Sequence, residues 1–255
     1  MKRKIIALLQ ARTDSTRLPA KVLKKILDKP MIVHQLHRTM KSQYIDALLV
    51  VTSDEESDDA LVHVLQSYGF EVFRGSKDNV LERFVRASEF LQLQDNDIIV
   101  RLTGDCPLHD ATIIDESIEV FLEGNCDYLA NCVEPVYPDG LDVEVFNVKS
   151  LKTAYANATL TSQKEHVTPY IRQSGVYNVC HLKKKPQFTH WRLTVDEEKD
   201  FKFIETIYNH FKTTYFSFEE IVVYLKQHPE LLEINSDIIR NEGYLKSLKE
   251  DKNDN

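Results

Sequence analysis

The sequence predicts an α/β fold, a mostly parallel central sheet flanked by helices, from three observations. Short apolar runs recur at residues 5–9, 47–52, 70–73 and 97–103, each too short for a helix. Amphipathic stretches at helical spacing separate them. The connections are long enough for crossovers, which parallel neighbours require.

Taken in order, residues 5–9 (IIALL) form the first buried strand, and the polar stretch ARTDSTRLPAK after it is a loop broken by Pro19. Pro30 stands where a helix N1 proline would, and Ile32, Leu36 and Met40 then fall on one helical face. The second strand (47–52) leads into a helix that opens with Ser53 and acidic residues and closes on Gly69. FEVF (70–73) is a third strand, 79–93 a helix and 97–103 a fourth strand. Past Asp110 the alternation loosens. A helix is expected over 111–123, a short strand over 127–131, and a YPDGLDVEVF loop that runs into a strand. Residues 162–172 read as helical although Pro169 lies within them, VYNVCHL and HWRLTV as strands around a basic KKKP turn, and 197–211 and 218–227 as helices. With no internal repeat and no linker, one domain is expected over 1–245. Residues 155–192 are a candidate inserted arm for a dimer contact, and the polar tail 246–255 should fray.

At 255 residues such a domain buries roughly three-quarters of the surface of its unfolded chain. A composition of 42% apolar and 28% charged residues is that of an ordinary globular protein. The net charge of -8 argues against a nucleic-acid partner, which needs a broad basic face. Cys106, Cys126, Cys132 and Cys180 lack metal-site spacing and read as buried or idle thiols. The first apolar run has five residues where a secretory signal needs about 7–15. No stretch approaches the roughly 18 apolar residues of a membrane span, so a cytoplasmic location away from membranes is expected.

In parallel sheets ligands bind beyond the carboxyl ends of the strands, which directs attention to the loops after the first and fourth. Arg12, Arg17 and Lys21 recur at intervals of five and four in the first loop, and guanidinium forks plus an ammonium match triphosphate oxygens. The alternative is a solvated surface loop. In the second loop, Gly104-Asp105 sets a carboxylate at the same edge, a hard ligand suited to Mg2+; the alternative is a helix cap.

The spaced pattern AR-x-x-S-x-R-x-P-x-K, present at Ala11, Arg12, Ser15, Arg17, Pro19 and Lys21 and followed by KPMIVH, resembles the opening of the CMP-sugar synthetases. These include the 3-deoxy-manno-octulosonate, acylneuraminate and spore-coat polysaccharide cytidylyltransferases. No glycine precedes Gly69, unlike the glycine-rich loop of the hexose-1-phosphate nucleotidyltransferases. The resemblance implies a single Rossmann-like domain of the nucleotide-diphospho-sugar transferase type that transfers CMP from CTP to a sugar hydroxyl, with release of pyrophosphate. It implies that Ala11, Arg12, Ser15, Arg17, Lys21, Thr103 and Gly104 bind CTP, and that Ser76 and Asp78 in RGSKDNVLERF face the base. Arg83 in that segment reads as a helix-surface charge. Asp105 in RLTGDCPL and Asp196 in WRLTVDEEKD are the implied Mg2+ ligands, with a helix N-cap again the alternative for Asp196, and Arg12, Lys21 and Asp105 the implied catalytic residues. GLDVEVF and KEHVTPYI match the spore-coat branch, which puts Asp142, Glu144, His166 and Arg172 at an acidic sugar acceptor; the arginine fork would pair with its carboxylate. His166 as a structural histidine is the alternative. A homodimer is usual in the resembled families. A same-fold enzyme using another nucleotide or a sugar phosphate, and a non-catalytic nucleotide-binding protein, are the competing readings.

Overall fold

The computed structural model describes residues 2–238, 240, 244, 247–249 and 251. Its sheet is built from β1 (Ile5–Gln10), β4 (Ala47–Ser53), β5 (Val72–Gly75), β6 (Ile98–Thr103), β7 (Tyr128–Ala130), β8 (Glu144–Asn147) and β9 (Val179–His181), in the order β5-β4-β1-β6-β8-β7-β9. Within it β8 alone runs against its neighbours. Two short strands, β2 (Lys25–Ile26) and β3 (Lys29–Pro30), make a separate antiparallel pair.

The pleat of β1 divides the core. Ile5, Ala7 and Leu9 face one layer, built on α1 (Met31–Thr39), α2 (Asp59–Ser67), α4 (Ala111–Glu123), α8 (Glu198–Phe211) and α9 (Phe218–Gln227). Ile6 and Leu8 face the other, built on α3 (Val80–Phe90), α5 (Val148–Asn157) and α7 (Pro169–Gln173). Every carboxyl end of the parallel strands β1, β4 and β6 therefore opens on one edge, with β8 starting there.

Several sequence expectations change, each for a local reason. The third strand begins at Val72 rather than Phe70, because Phe70 N donates to Leu65 O and Gly69 N to Gln66 O (both 3.0 Å), closing α2 with Gly69 in the left-handed region. The stretch 162–172 is two helices, α6 (Thr161–His166) and α7; Pro169, which has no N–H to donate, starts the second. Pro30 precedes α1 as its N-cap, and Met40 lies beyond the helix end and is exposed. HWRLTV is not a strand. Trp191, Leu193 and Val195 are buried as their alternation suggests, but the backbone bonds to loops, Leu193 N to Asp139 O at 2.7 Å and Val195 N to Asp105 O at 2.8 Å. Gly140 permits this approach, since a Cβ there would lie 2.4 Å from the Leu193 carbonyl carbon.

Cys126 and Cys180 are joined in a disulfide, so only Cys106 and Cys132 remain as free thiols. Residues 155–192 comprise the end of α5, α6, α7 and β9, and β9 pairs with β7 at the sheet's edge. Of the tail expected to fray, 246, 250 and 252–255 lie outside the described residues. Ser247 and Asp251 are buried and bonded, the latter accepting from Ser162 N at 3.0 Å. Among the described residues no helix is long and apolar enough to cross a membrane.

Candidate active site

The loop after β1 is tied down at its centre. Asp58 is buried, and its Oδ1 accepts from Thr13 N (2.7 Å) and Thr13 Oγ1 (2.8 Å) while its Oδ2 takes Thr52 Oγ1 (2.9 Å) and Ser53 Oγ (2.5 Å). Burial works to raise this carboxyl's pKa, yet these donors together hold it below its ordinary value. Ala20 N donates to Thr13 O at 2.8 Å, and Ala20 in the left-handed region turns the chain into the single 3-10 turn Lys21–Leu23.

That turn delivers Lys21 into the interior. Its ammonium donates to Val195 O at 2.7 Å and Asp196 Oδ1 at 2.9 Å and lies 3.5 Å from Asp105 Oδ2. Burial alone would lower the lysine's pKa, but Asp105 and Asp196 outweigh it and raise it. Arg17 Nη2 reaches the same Asp196 Oδ1 at 3.1 Å. Asp196, although burial opposes its ionisation, is pulled down to about 2 by Lys21, Arg17 and Arg192. Thus Arg17, Lys21, Asp105 and Asp196, from three separate segments, meet at the carboxyl edge of β1 and β6.

Asp105 is carried on a close backbone junction. Gly104 N donates to Gln10 O at 2.8 Å, and a Cβ on Gly104 would come within 2.8 Å of the Ala11 Cβ. Gln35, inside α1, donates from Nε2 to Thr103 O (2.7 Å) and sits 3.0 Å from His109 Nδ1. An amide nitrogen has no lone pair to offer, so Nδ1 accepts and the ring proton sits on Nε2, facing Asp142 O at 3.2 Å. Burial brings this histidine down to about 4, in keeping with a neutral ring. Gln35 and His109 therefore clamp the Thr103–Asp105 and Asp142 backbones together.

The remaining sequence candidates fall into two groups. Arg12 Nε lies 3.1 Å from Asp14, whose other oxygen meets Lys77 at 3.0 Å, so the loops 11–20 and 75–79 touch. In the second loop Ser76 Oγ accepts from Asn79 N at 3.1 Å. Arg83, expected on the surface, is buried; its Nε and Nη2 donate to Ser76 O at 2.9 and 2.6 Å and shape the loop that carries Ser76 and Asp78. Burial, with Arg12 nearby, lowers its pKa to about 10. Ser15 Oγ accepts from Leu18 N at 3.5 Å, inside the first loop.

On the acceptor side, Glu144 is buried and bonded to Arg101, Tyr128 and Thr168 Oγ1, the last at 2.6 Å. His166 Nε2 meets Ser247 Oγ at 3.0 Å, with its ring edge-on to Tyr244, and burial lowers it to about 4. Arg172 lies over the Tyr244 ring, and its buried Nε has no hydrogen-bond partner among the described residues. Asp142 Oδ1 accepts from Arg240 Nη2 at 2.9 Å.

Burial pushes Asp142 up to about 7, with Arg240 opposing the rise and Asp139, Glu144 and Asp105 reinforcing it. Since its folded pKa exceeds the ordinary 3.8, the folded chain keeps a proton that the unfolded chain releases. The associated stability is complete below 3.8 and is lost as pH rises to about 7. Calorimetry across that range should show the wild-type Tm falling relative to that of Asp142→Asn, and parallel curves would refute the raised pKa of this half-buried carboxyl.

Sequence reading did not single out Asp58, Gln35, His109, Arg192 or Asp200. Polar residues inside helices and loops carry no periodic signal that separates them from surface ones.

Residues 6–238 match the cytidylyltransferase family. Over 247 residues the chain is 38% identical to an uncharacterised protein of Methanocaldococcus jannaschii, covering 94% of this chain and 98% of that one. It is 35% identical to the spore coat polysaccharide biosynthesis protein SpsF of Bacillus subtilis, over 80% of this chain and 86% of the relative. With the 3-deoxy-manno-octulosonate cytidylyltransferase of Chlorobium phaeobacteroides it shares 30% identity over 70% of each. Among solved structures, a cytidylyltransferase from Leptospira borgpetersenii superposes with a TM-score of 0.86 at 29% identity, over 94% of this chain and 100% of that one.

Proposed function

This chain belongs to the cytidylyltransferase family and is a CTP-dependent nucleotidyltransferase, and from that premise we propose that it couples CMP to an acidic sugar in polysaccharide biosynthesis. The observation that carries the proposal is the meeting of Lys21 and Arg17 with Asp105 and Asp196 at the ligand-binding edge of the sheet. Cations alone would support anion binding only. Cations interleaved with two carboxylates suit a triphosphate that arrives with a divalent cation.

The donor set fits Mg2+. Asp105 and Asp196 offer hard oxygens that already converge on one positive charge, the Lys21 ammonium. Among the described residues no group of three or more His, Cys, Asp or Glu forms a complete metal cage. Magnesium is commonly held this way, by one or two carboxylates plus phosphate oxygens and water. When bound it would lower the charge on the α-phosphate.

In the transfer, the sugar hydroxyl oxygen forms a bond to the α-phosphorus as the bond to the bridging oxygen breaks, and pyrophosphate leaves with that electron pair. The hydroxyl proton passes to solvent or to a nearby carboxylate. Lys21, Arg17 and Arg12 neutralise the leaving pyrophosphate, and Ser15, Ala11, Thr103 and Gly104 line the approach to the phosphates. Ser76 and Asp78, on the loop that Arg83 shapes, receive the base.

An acidic acceptor is favoured by the charge around Asp142 and Glu144. Arg101, Arg172 and Arg240 face two carboxylates, one of which, Asp142, is about half protonated near pH 7, and the Arg172 Nε has no hydrogen-bond partner among the described residues. The reading also places the enzyme in the cytoplasm as a homodimer with residues 155–192 at the contact.

The test is pyrophosphate release from CTP and Mg2+ with a panel of sugar acids and matched neutral sugars. Turnover with CTP and a sugar acid, and none with UTP or GTP, is expected. Turnover with neutral sugars alone would overturn the acceptor class.

A further inference from the structure

Behind the convergence of Lys21, Asp105 and Asp196 lies a second layer of charge. Arg192 has a side chain 7% exposed, and Asp200, in the first turn of α8, is fully buried. The guanidinium grips Asp200 with two bonds, Nε to Oδ1 at 2.9 Å and Nη2 to Oδ2 at 3.0 Å. Its Nη2 also donates to Asp196 Oδ2 at 2.8 Å and its Nη1 to Asp139 Oδ2 at 3.0 Å. Asp200 in turn accepts from Asp196 N at 2.9 Å, Glu197 N at 3.0 Å and Asn235 Nδ2 at 2.9 Å.

The two oxygens of Asp196 consequently have different partners. Oδ2 is held from the interior by Arg192, while Oδ1 faces Lys21 and Arg17 in the site. The backbone of Asp196 is pinned by the same Asp200 that orients Arg192. Neither the rotamer nor the ionisation of Asp196 is left to chance. Through Asp139, the same guanidinium also ties the loop leading to Asp142 and Glu144.

We propose that Arg192, oriented by Asp200, is a positioning residue for the transfer: it holds Asp196 with one oxygen aimed at the nucleotide's cation and links that carboxylate to the acceptor loop. The proposal rests on the reading of Asp196 as a metal ligand given above. A purely structural role accounts poorly for this arrangement, because a buried cluster of ions stabilises a fold no better than well-packed apolar residues do. Outer-shell partners that orient a ligand, by contrast, commonly alter metal affinity or activity by about 10–100-fold when removed.

The experiment compares wild type, Arg192→Met, Arg192→Lys and Asp200→Asn in three measurements: Tm, CTP KM at saturating Mg2+, and Mn2+ affinity in the presence of CTP by electron paramagnetic resonance. Mn2+ affinity should fall about 10–100-fold in all three variants, since lysine keeps the charge but loses the fork, with CTP KM changed less than about threefold. Tyr208→Phe, which removes a buried hydrogen bond to Pro107 O at 2.8 Å, is the control. It should lower Tm and leave Mn2+ affinity unchanged. Should Arg192→Met fail to fold, the near-isosteric Asp200→Asn carries the same readout. Folded Arg192→Lys and Asp200→Asn proteins that bind Mn2+ as wild type does would overturn the positioning role. Wild-type protein that binds no Mn2+ with CTP would instead overturn the reading of Asp105 and Asp196 on which it rests.

Discussion

Lys21→Ala is expected to lower kcat/KM by about a hundred- to a thousandfold, the usual loss when one preorganised charge on a developing anion is removed. The ammonium is buried, within 3.5 Å of three oxygens, whereas Arg17, which shares Asp196 Oδ1 with it, keeps 34% of its side chain exposed. A more exposed guanidinium is a weaker substitute for a buried charge, because water screens it. The same substitution has a second consequence. Without the ammonium, Asp105 and Asp196 face each other with Arg17 and Arg192 as their remaining nearby cations, so the space between them becomes a site for a divalent ion even without nucleotide. Mg2+ alone should then raise the Tm of Lys21→Ala by several degrees while leaving that of wild type nearly unchanged. Full activity in Lys21→Ala would remove the lysine from the reaction, and an identical Mg2+ response in both proteins would separate the two carboxylates from metal binding.

Lys21 also marks how far the sequence could be read. The apolar run 5–9 and the glycine-free basic loop after it identify the strand, the ligand edge and the residues Arg17 and Lys21, because strand length and turn chemistry are local properties. The convergence of Asp196 on Lys21, 175 positions away, is not local, and only a family pattern pointed to it. Arg83 shows the limit from the other side. At helical spacing it looks like any surface arginine, yet it is buried because two loop carbonyls need its donors. HWRLTV misled for a related reason: alternating apolar residues record which side is buried, and a loop running along the core satisfies that pattern as well as a strand does. The bond between Cys126 and Cys180 spans 54 positions with no motif at either end, so no spacing rule applies to it.

Glu144→Gln is expected to destabilise the fold by about 3–5 kcal/mol, the cost of leaving a buried charge without its partner. For a domain of this size that corresponds to a fall in Tm on the order of 10 °C. The carboxylate is buried against Arg101, Tyr128 and Thr168, with Arg172 close enough to favour its charge. Glutamine keeps the shape and leaves two guanidiniums facing a neutral amide. Burial works to raise the pKa of Glu144, but Arg101 and its other partners hold it below the ordinary 4.5. Its contribution is therefore in place above 4.5 and is lost as pH falls through the lower folded value, so the gap between wild type and Glu144→Gln should close on acidification. Replacing both partners, Arg101→Met with Glu144→Leu, should recover most of the lost stability, because the penalty comes from breaking the pair and not from its absence. These outcomes decide what Glu144 does. Its oxygens already accept from Arg101, Tyr128 and Thr168, so on the proposed reading Glu144 supports Arg101 from behind and does not bind the acceptor itself. A Glu144→Gln protein with wild-type Tm and a raised KM for the sugar would instead make Glu144 a direct contact to that substrate.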